Sequence, residues 1–366
     1  MQFSLIRTLA GILALLVFLL LFGLPALSGT LVEAGYMPTW LMSAMGSLAV
    51  AQTWVMRVFV VGWIFFFGSC FASFLNVVAW RVPRGRGING SSHCPHCDVQ
   101  LSMRDNIPVL GWLRNRGRCR ACKTPITVRY LIVEITLGVV TLGLVALGVF
   151  WGGVNLPVGI GNDFRFAMLH NTVTDPEYSL IGIAGFHLIL VFGLFTAAVV
   201  RSEGLAVPVS IVGVVGVFGL IFAGVFPRAI VMDYLGNTGQ LVRFAENWRL
   251  TLGLGALAGL VLGFALDQVV WFNGPYCSVD EVDNLVEVTD VNKSVWSIAD
   301  GIASLPLVGL FLGWQAVVSV VVLLVLMLPF RMLVGCRACV SLQAQVFLAT
   351  LVQLSCWRFV FWGDWL

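Results

Sequence analysis

Four cysteines carry the most specific chemistry in this chain. Cys94-Pro95-His96-Cys97 and Cys119-Arg120-Ala121-Cys122 form two Cys-x-x-Cys pairs with 21 residues between them. Each pair is a tight turn that aims two thiolates at one point, and two such turns close a tetrahedral site with Zn–S distances of about 2.3 Å. Structural zinc is the expected occupant, with iron as its substitute. Two disulfides are the alternative, and they require an oxidising compartment. His93 and His96 flank the first pair as spare ligands to a shell that four sulfurs already complete. Cys336 and Cys339 form a third pair with no second pair nearby and read as solitary thiols, while Cys70, Cys277 and Cys356 are isolated.

A second chemistry would need carboxylates. Water attack on a peptide bond requires a base and an acid, and two carboxylates sharing one proton supply both, because like charges that close cannot both ionise. Glu203, Asp267 and Asp300 are the weak candidates: Asp267 lies near the end of an apolar run, Asp300 at the start of another, and Glu203 in a short polar link. An ionisable group at the depth of Asp267 calls for a partner.

The elements that hold these residues are membrane spans. Of 366 residues, 59% are hydrophobic and 11% charged, which excludes a soluble domain with a charged surface. Runs long enough for the ~20 residues that cross a bilayer core lie near 5–28, 55–80, 130–151, 179–200, 207–226, 250–272, 301–334 and 341–362. The expected fold is an all-α polytopic membrane protein of eight to nine transmembrane helices with a small zinc-ribbon-like insert. Residues 1–29 can alternatively be read as a signal peptide.

The net charge of +3 matters less than its distribution. Arg81, Arg84, Arg86, Arg104, Arg114, Arg116, Arg118, Arg120, Lys123 and Arg129 all fall between the second and third spans, and Lys and Arg near membrane ends stay on the cytoplasmic side. The insert at 81–129 is therefore expected in the cytoplasm, where disulfides rarely persist. A basic loop tethered between two spans needs no nucleic acid to explain it. The expected organisation is 1–54 as a first span (or signal) and outer segment, 55–138 carrying the insert, and 139–366 as a further bundle. The insert is too small to bury much of a core and must draw its folding energy largely from the metal, with Trp112, Leu110, Val109 and Ile107 as its little apolar packing.

One family becomes visible in Gly68-Ser69-Cys70-Phe71-Ala72-Ser73-Phe74-Leu75-Asn76-Val77-Val78-Ala79-Trp80-Arg81-Val82-Pro83-Arg84, in Asp105-Asn106-Ile107-Pro108-Val109-Leu110-Gly111-Trp112-Leu113 and in Pro125-Ile126-Thr127-Val128-Arg129-Tyr130-Leu131-Ile132-Val133-Glu134. In order and spacing, with the cysteine pairs between, 68–138 closely resembles the amino-terminal region of the type IV prepilin peptidases. The resemblance implies an aspartyl protease of the bacterial inner membrane. Such enzymes remove the leaders of prepilins and pseudopilins at the cytoplasmic face, in type IV pilus and type II secretion systems, and many then methylate the new amino terminus with S-adenosylmethionine.

The family's two aspartates do not carry over. One sits seven residues before a proline, and counting back from Pro208 reaches Arg201. The other, registered by Gly309 and Gly313-Trp314-Gln315-Ala316, falls on Gly301. Asp300 is one step away, about 100° around a helix, and Glu203 is two positions off. Arg201 is the expected partner of Asp267, Glu203 or Asp300, and an arginine would hold such carboxylates ionised. The leading expectation is therefore a pseudoenzyme that binds pilin or pseudopilin amino-terminal segments, or pilus and secretion assembly proteins. Arg201→Asp with Gly301→Asp is the expected rescue. The alternative is an active peptidase with a displaced pair such as Glu203 and Asp300; a channel or transporter would need more polar residues along its spans than His187 and Asp267.

Overall fold

The computed structural model describes residues 39–94, 96–156, 178–225, 244–268, 297–298, 300–334 and 341–360, with backbone alone at 39–53, 244–248, 297–298, 300, 328–334 and 358–360. The expected first span at 5–28, the signal-peptide alternative, Cys277, the acidic segment of 273–296, and Cys336 with Cys339 lie outside the described residues.

The described chain is helical almost throughout. α1 (Thr39–Arg81) ends in a short turn at Val82–Arg84, and α2 (Leu110–Arg114) is a single turn inside the insert. α3 (Val128–Val145) continues as a wider π turn to Phe150, and α4 (Tyr178–Ser202) follows. Then come β1 (Val207–Pro208), α5 (Val209–Val225), α6 (Phe244–Gln268), β2 (Ser297–Ile298), α7 (Asp300–Leu312), α8 (Trp314–Val334) and α9 (Leu342–Val360).

Among the described residues, four segments are long and apolar enough to cross a membrane: Trp54–Arg84, Val128–Phe150, Tyr178–Ser202 and Arg249–Gln268. Shorter apolar helices cover Val209–Val225, Gly301–Leu312, Trp314–Met327 and Leu342–Trp357. Long Val, Leu and Phe runs fold this way because a helix satisfies its own backbone groups where no water can. The chain is a multipass α-helical membrane protein. The long stretch at 301–334 divides at Gly313, whose φ of 83° suits glycine and ends α7. α1 begins at Thr39, inside the segment expected to lie between two spans.

Small residues set how closely the helices approach. A Cβ on Gly68 would fall 2.5 Å from Thr141 Oγ1, and one on Gly138 2.5 Å from Ser69 Oγ, so α1 and α3 meet nearly backbone to backbone. The closest contact joins α6 and α7. Gly255, Gly259 and Gly263 repeat every four residues and pack against Gly309, Leu305 and Gly301; a Cβ on Gly259 would come within 2.2 Å of the Leu305 carbonyl oxygen. Phe311 of α7 stacks on Phe186 of α4 with ring centroids 4.5 Å apart and anchors this pair to the bundle core. His187 is buried beside it, 5.6 Å from the Trp357 ring.

β1 and β2 pair antiparallel, Val207 with Ile298 and Pro208 with Ser297. This short ladder ties the link after α4 to the start of α7. The two places that matter for carboxylate chemistry are therefore presented at one end of the bundle.

Candidate metal centre and carboxylate sites

The cysteine loops are built alike. In the first, the Cys94 N–H donates to the Val99 carbonyl (3.0 Å) and the Asp98 N–H to that of Cys94 (2.9 Å); in the second, Cys119 N–H donates to Thr124 (2.8 Å) and Lys123 N–H to Cys119 (3.1 Å). Asp98 and Lys123 take equivalent left-handed conformations, φ 53° and 61°. One antiparallel bridge closes each loop, His93 with Gln100 and Arg118 with Pro125.

All four Sγ atoms lie within 4.8 Å of one another. Cys94 and Cys122 are 3.8 Å apart, Cys97 and Cys119 3.9 Å. A tetrahedral ion with 2.3 Å bonds would set neighbouring sulfurs about 3.8 Å apart, whereas a disulfide requires about 2.05 Å. The thiols are spaced for a metal ion.

Their acidities agree. The Cys97 and His96 backbone N–H groups lower Cys94, and Thr124, through its hydroxyl and N–H, lowers Cys122 to about 6. At Cys97 the Val99 N–H also lowers the thiol, but burial and the neighbouring thiols outweigh it and push it up to about 11. Some thiols ionise readily and then hold another protonated; a central cation is what lets all four be thiolates. His93 Nε2 lies 3.4 Å from Ser91 Oγ, outside the sulfur cluster.

The insert has little core, as its length requires. Trp112 packs over Gly117, where a Cβ would fall 2.5 Å from its ring, and donates its Nε1–H to Ile126 O at 3.3 Å. Asp105 accepts from the Ser102 hydroxyl (2.6 Å) and Asn115 Nδ2 (3.1 Å), with Arg120 Nε 3.6 Å away. The Ser102 hydroxyl, then Asn115 and Arg120, hold its carboxyl below the usual range against a smaller cost of burial. Ile107 and Leu110, expected as packing, are exposed. The short α2 turn directs Trp112 onto Gly117 and leaves Leu110 and Leu113 outward.

One contact docks the insert on the bundle. Glu134 of α3 is buried and accepts the Val109 N–H at 2.7 Å, with Ser73 of α1 also hydrogen-bonded to it. Val109 sits at φ 63°, uncommon for a β-branched residue, so the loop is held there rather than resting there. Composition gave no hint of this role: Glu134 reads as one more charge at the edge of a span.

Two of the three candidate carboxylates make structural contacts. Glu203 forms ion pairs with Arg129 and with Arg84 at 3.7 Å, joining the ends of α1, α3 and α4. Asp267 accepts the Gly301 N–H (2.8 Å) and Ile302 N–H (3.1 Å), capping the first turn of α7. The expected partner Arg201 donates to the Leu205 carbonyl at 3.2 Å. Asp300 opens α7 in backbone only.

Gly301 is closed to a side chain. A Cβ there would stand 2.4 Å from the Gly263 carbonyl oxygen and 3.1 Å from the Asp267 carboxyl carbon. Gly301→Asp, half of the expected rescue, would have to displace this packing. The glycine spacing of α6 was the available signal, since residues 255, 259 and 263 lie on one helix face.

Comparison with known proteins gives the insert its relatives. The family described as Bacterial Peptidase A24 N-terminal domain matches residues 66–147. A prepilin leader peptidase/N-methyltransferase of Myxococcus xanthus is 49% identical over 76 residues, which cover 20% of this chain and 23% of that protein. A type 4 prepilin-like proteins leader peptide-processing enzyme of Escherichia coli is 40% identical over 87 residues, 19% of this chain and 32% of its own. A prepilin leader peptidase/N-methyltransferase of Klebsiella pneumoniae is 43% identical over 82 residues, 20% of this chain and 36% of its own. The match thus spans about a quarter to a third of these relatives' length. No solved structure matches. Residues 66–147, with the cysteine pairs and the Glu134 anchor they contain, are therefore similar to the amino-terminal domain of the bacterial A24 peptidases and to proteins named as prepilin leader peptidases.

Proposed function

We propose that this protein resides in the bacterial inner membrane, binds pilin-type amino-terminal segments or the proteins that assemble them, and does not cleave leaders. Its insert faces the cytoplasm, because ten Lys and Arg against Asp98 and Asp105 fall between the flanking spans. Zinc fills the four-cysteine centre as a structural ion. Binding follows from kinship with proteins named as prepilin leader peptidases.

Loss of cleavage rests on Gly301. At the position registered on the second family aspartate a Cβ would fall 2.4 Å from the Gly263 carbonyl oxygen and 3.1 Å from the Asp267 carboxyl carbon, so the backbone of α6 takes the space where a side chain would begin. Glu203, the carboxylate nearest the other position, is neutralised by Arg84 and Arg129. A carboxylate between two guanidiniums stays ionised and cannot be the acid of a proton-sharing pair.

The experiment is capture. The full chain and a type IV prepilin are co-expressed in membranes of a strain without other leader peptidases, crosslinked and purified. A complex in which the prepilin keeps its leader is expected. Failure of the prepilin to co-purify, while a known leader peptidase retains it under the same conditions, would overturn the binding half of the reading.

A further inference from the structure

Around α2 the insert carries four exposed apolar side chains: Met103 is 91% exposed, Leu110 59%, Leu113 52% and Ile107 37%. All four lie on one stretch of twelve residues around α2, with exposed Arg104 and Arg114 among them. In a water-soluble loop held by a metal, such a cluster would be a liability.

Its depth is set by Glu134. That residue stands six positions into the membrane-crossing segment Val128–Phe150, about 9 Å along the axis at 1.5 Å per residue. The segment's 23 residues span about 34 Å, close to the bilayer core of about 30 Å. A carboxylate at that level must have its polar needs met by protein, and the Val109 N–H meets one of them at 2.7 Å. The Val109–Leu110 turn is therefore drawn down beside the wall of α3, toward the boundary between headgroups and acyl chains, and cannot stand off in the cytosol.

We infer that the α2 turn is a membrane-interface anchor, with Leu110, Leu113, Ile107 and Met103 embedded among anionic phospholipids and Arg104 and Arg114 on their phosphates. Charge favours that occupant: ten basic residues against two acidic ones give the insert a field that attracts an anionic surface. Exposed apolar residues interspersed with arginines are the composition that such surfaces bind. The anchor fixes the height of the metal centre above the bilayer and so the height at which anything entering from the cytoplasm is met. This inference stands whether or not the protein cleaves leaders.

The test places the photocrosslinking residue benzoylphenylalanine at Leu110, at Leu113 or, as a control on the far side of the turn, at Arg118 in the full chain. The protein is reconstituted into nanodiscs of phosphatidylglycerol and phosphatidylethanolamine, illuminated and analysed by mass spectrometry. Lipid adducts at 110 and 113 several-fold above those at 118, and fewer adducts with zwitterionic lipid alone, are expected. No excess of lipid adducts at 110 and 113 would overturn the inference, as would their replacement by protein adducts when a prepilin is added, which would make the cluster a protein-docking surface. Retained metal content in each variant establishes that the insert is folded.

Discussion

At the scale of single residues, the cysteines and the carboxylates obey the same rule with opposite results. Four thiols a few ångströms apart cannot all ionise unless a cation joins them, and the geometry at 94, 97, 119 and 122 is one that could hold a metal ion. About one zinc per chain is expected in the purified protein, and Cys94→Ser with Cys119→Ser should remove it and speed hydrogen exchange through 81–129; full metal content in that variant would refute the assignment. The sign of the pH dependence follows from Cys122. Its thiol is lowered to about 6 in the folded insert, so the thiolate is present above that value and is lost as pH falls through it. Bound metal competes with protons and moves the loss lower still. Metal should therefore be retained at neutral pH and released in a titration whose midpoint lies below pH 6, as read by a zinc indicator. The cysteine set was legible in sequence because spacing alone specifies it. The partners of Glu203 were not: Arg84 and Arg129 lie far from it in the chain, and only folding brings them together.

At the scale of elements, glycine decides the architecture where hydropathy could not. Apolar runs reveal that helices cross, and the sequence reading found those helices; which pairs touch depends on the faces that lack side chains. A Cβ on Gly309 would fall 1.8 Å from the Gly255 carbonyl oxygen, while one on Gly253, in the same helix as Gly255, would meet nothing within 4 Å. Gly309→Ala should therefore lower stability by about 1–3 kcal/mol through overpacking, and Gly253→Ala should be neutral or stabilising through its helix propensity. Thermal unfolding of both variants in one detergent checks this, and equal midpoints would contradict the packing described. A contact of the same kind explains why position 301 is glycine: it meets the Gly263 backbone as Gly309 meets that of Gly255, and Asp267 caps the first turn of the same helix. The division of 301–334 at Gly313 was not legible, because a single glycine in an apolar run signals a break only once the backbone around it is known.

At the scale of the whole molecule, one end of the bundle gathers the links and helix ends that carry Glu203, Asp267 and Gly301. The β1–β2 ladder brings the link after α4 to the start of α7; Glu203 is clasped by the ends of α1 and α3, and Asp267 holds the first turn of α7. The membrane fold and its insert could be read from the chain alone because apolar length and cysteine spacing are local properties. The fate of the carboxylates was not local, since Arg201 was the nearest cation in sequence and the actual partners came from other helices. Leader cleavage tests the account most directly. Purified protein in anionic nanodiscs is incubated with a type IV prepilin, and the shortening of the substrate is followed by mass spectrometry beside a known leader peptidase. The account predicts intact prepilin throughout, for the unmodified chain and for Arg201→Asp with Gly301→Asp alike. Leader removal by the unmodified chain, abolished by Asp300→Asn or Glu203→Gln, would contradict it.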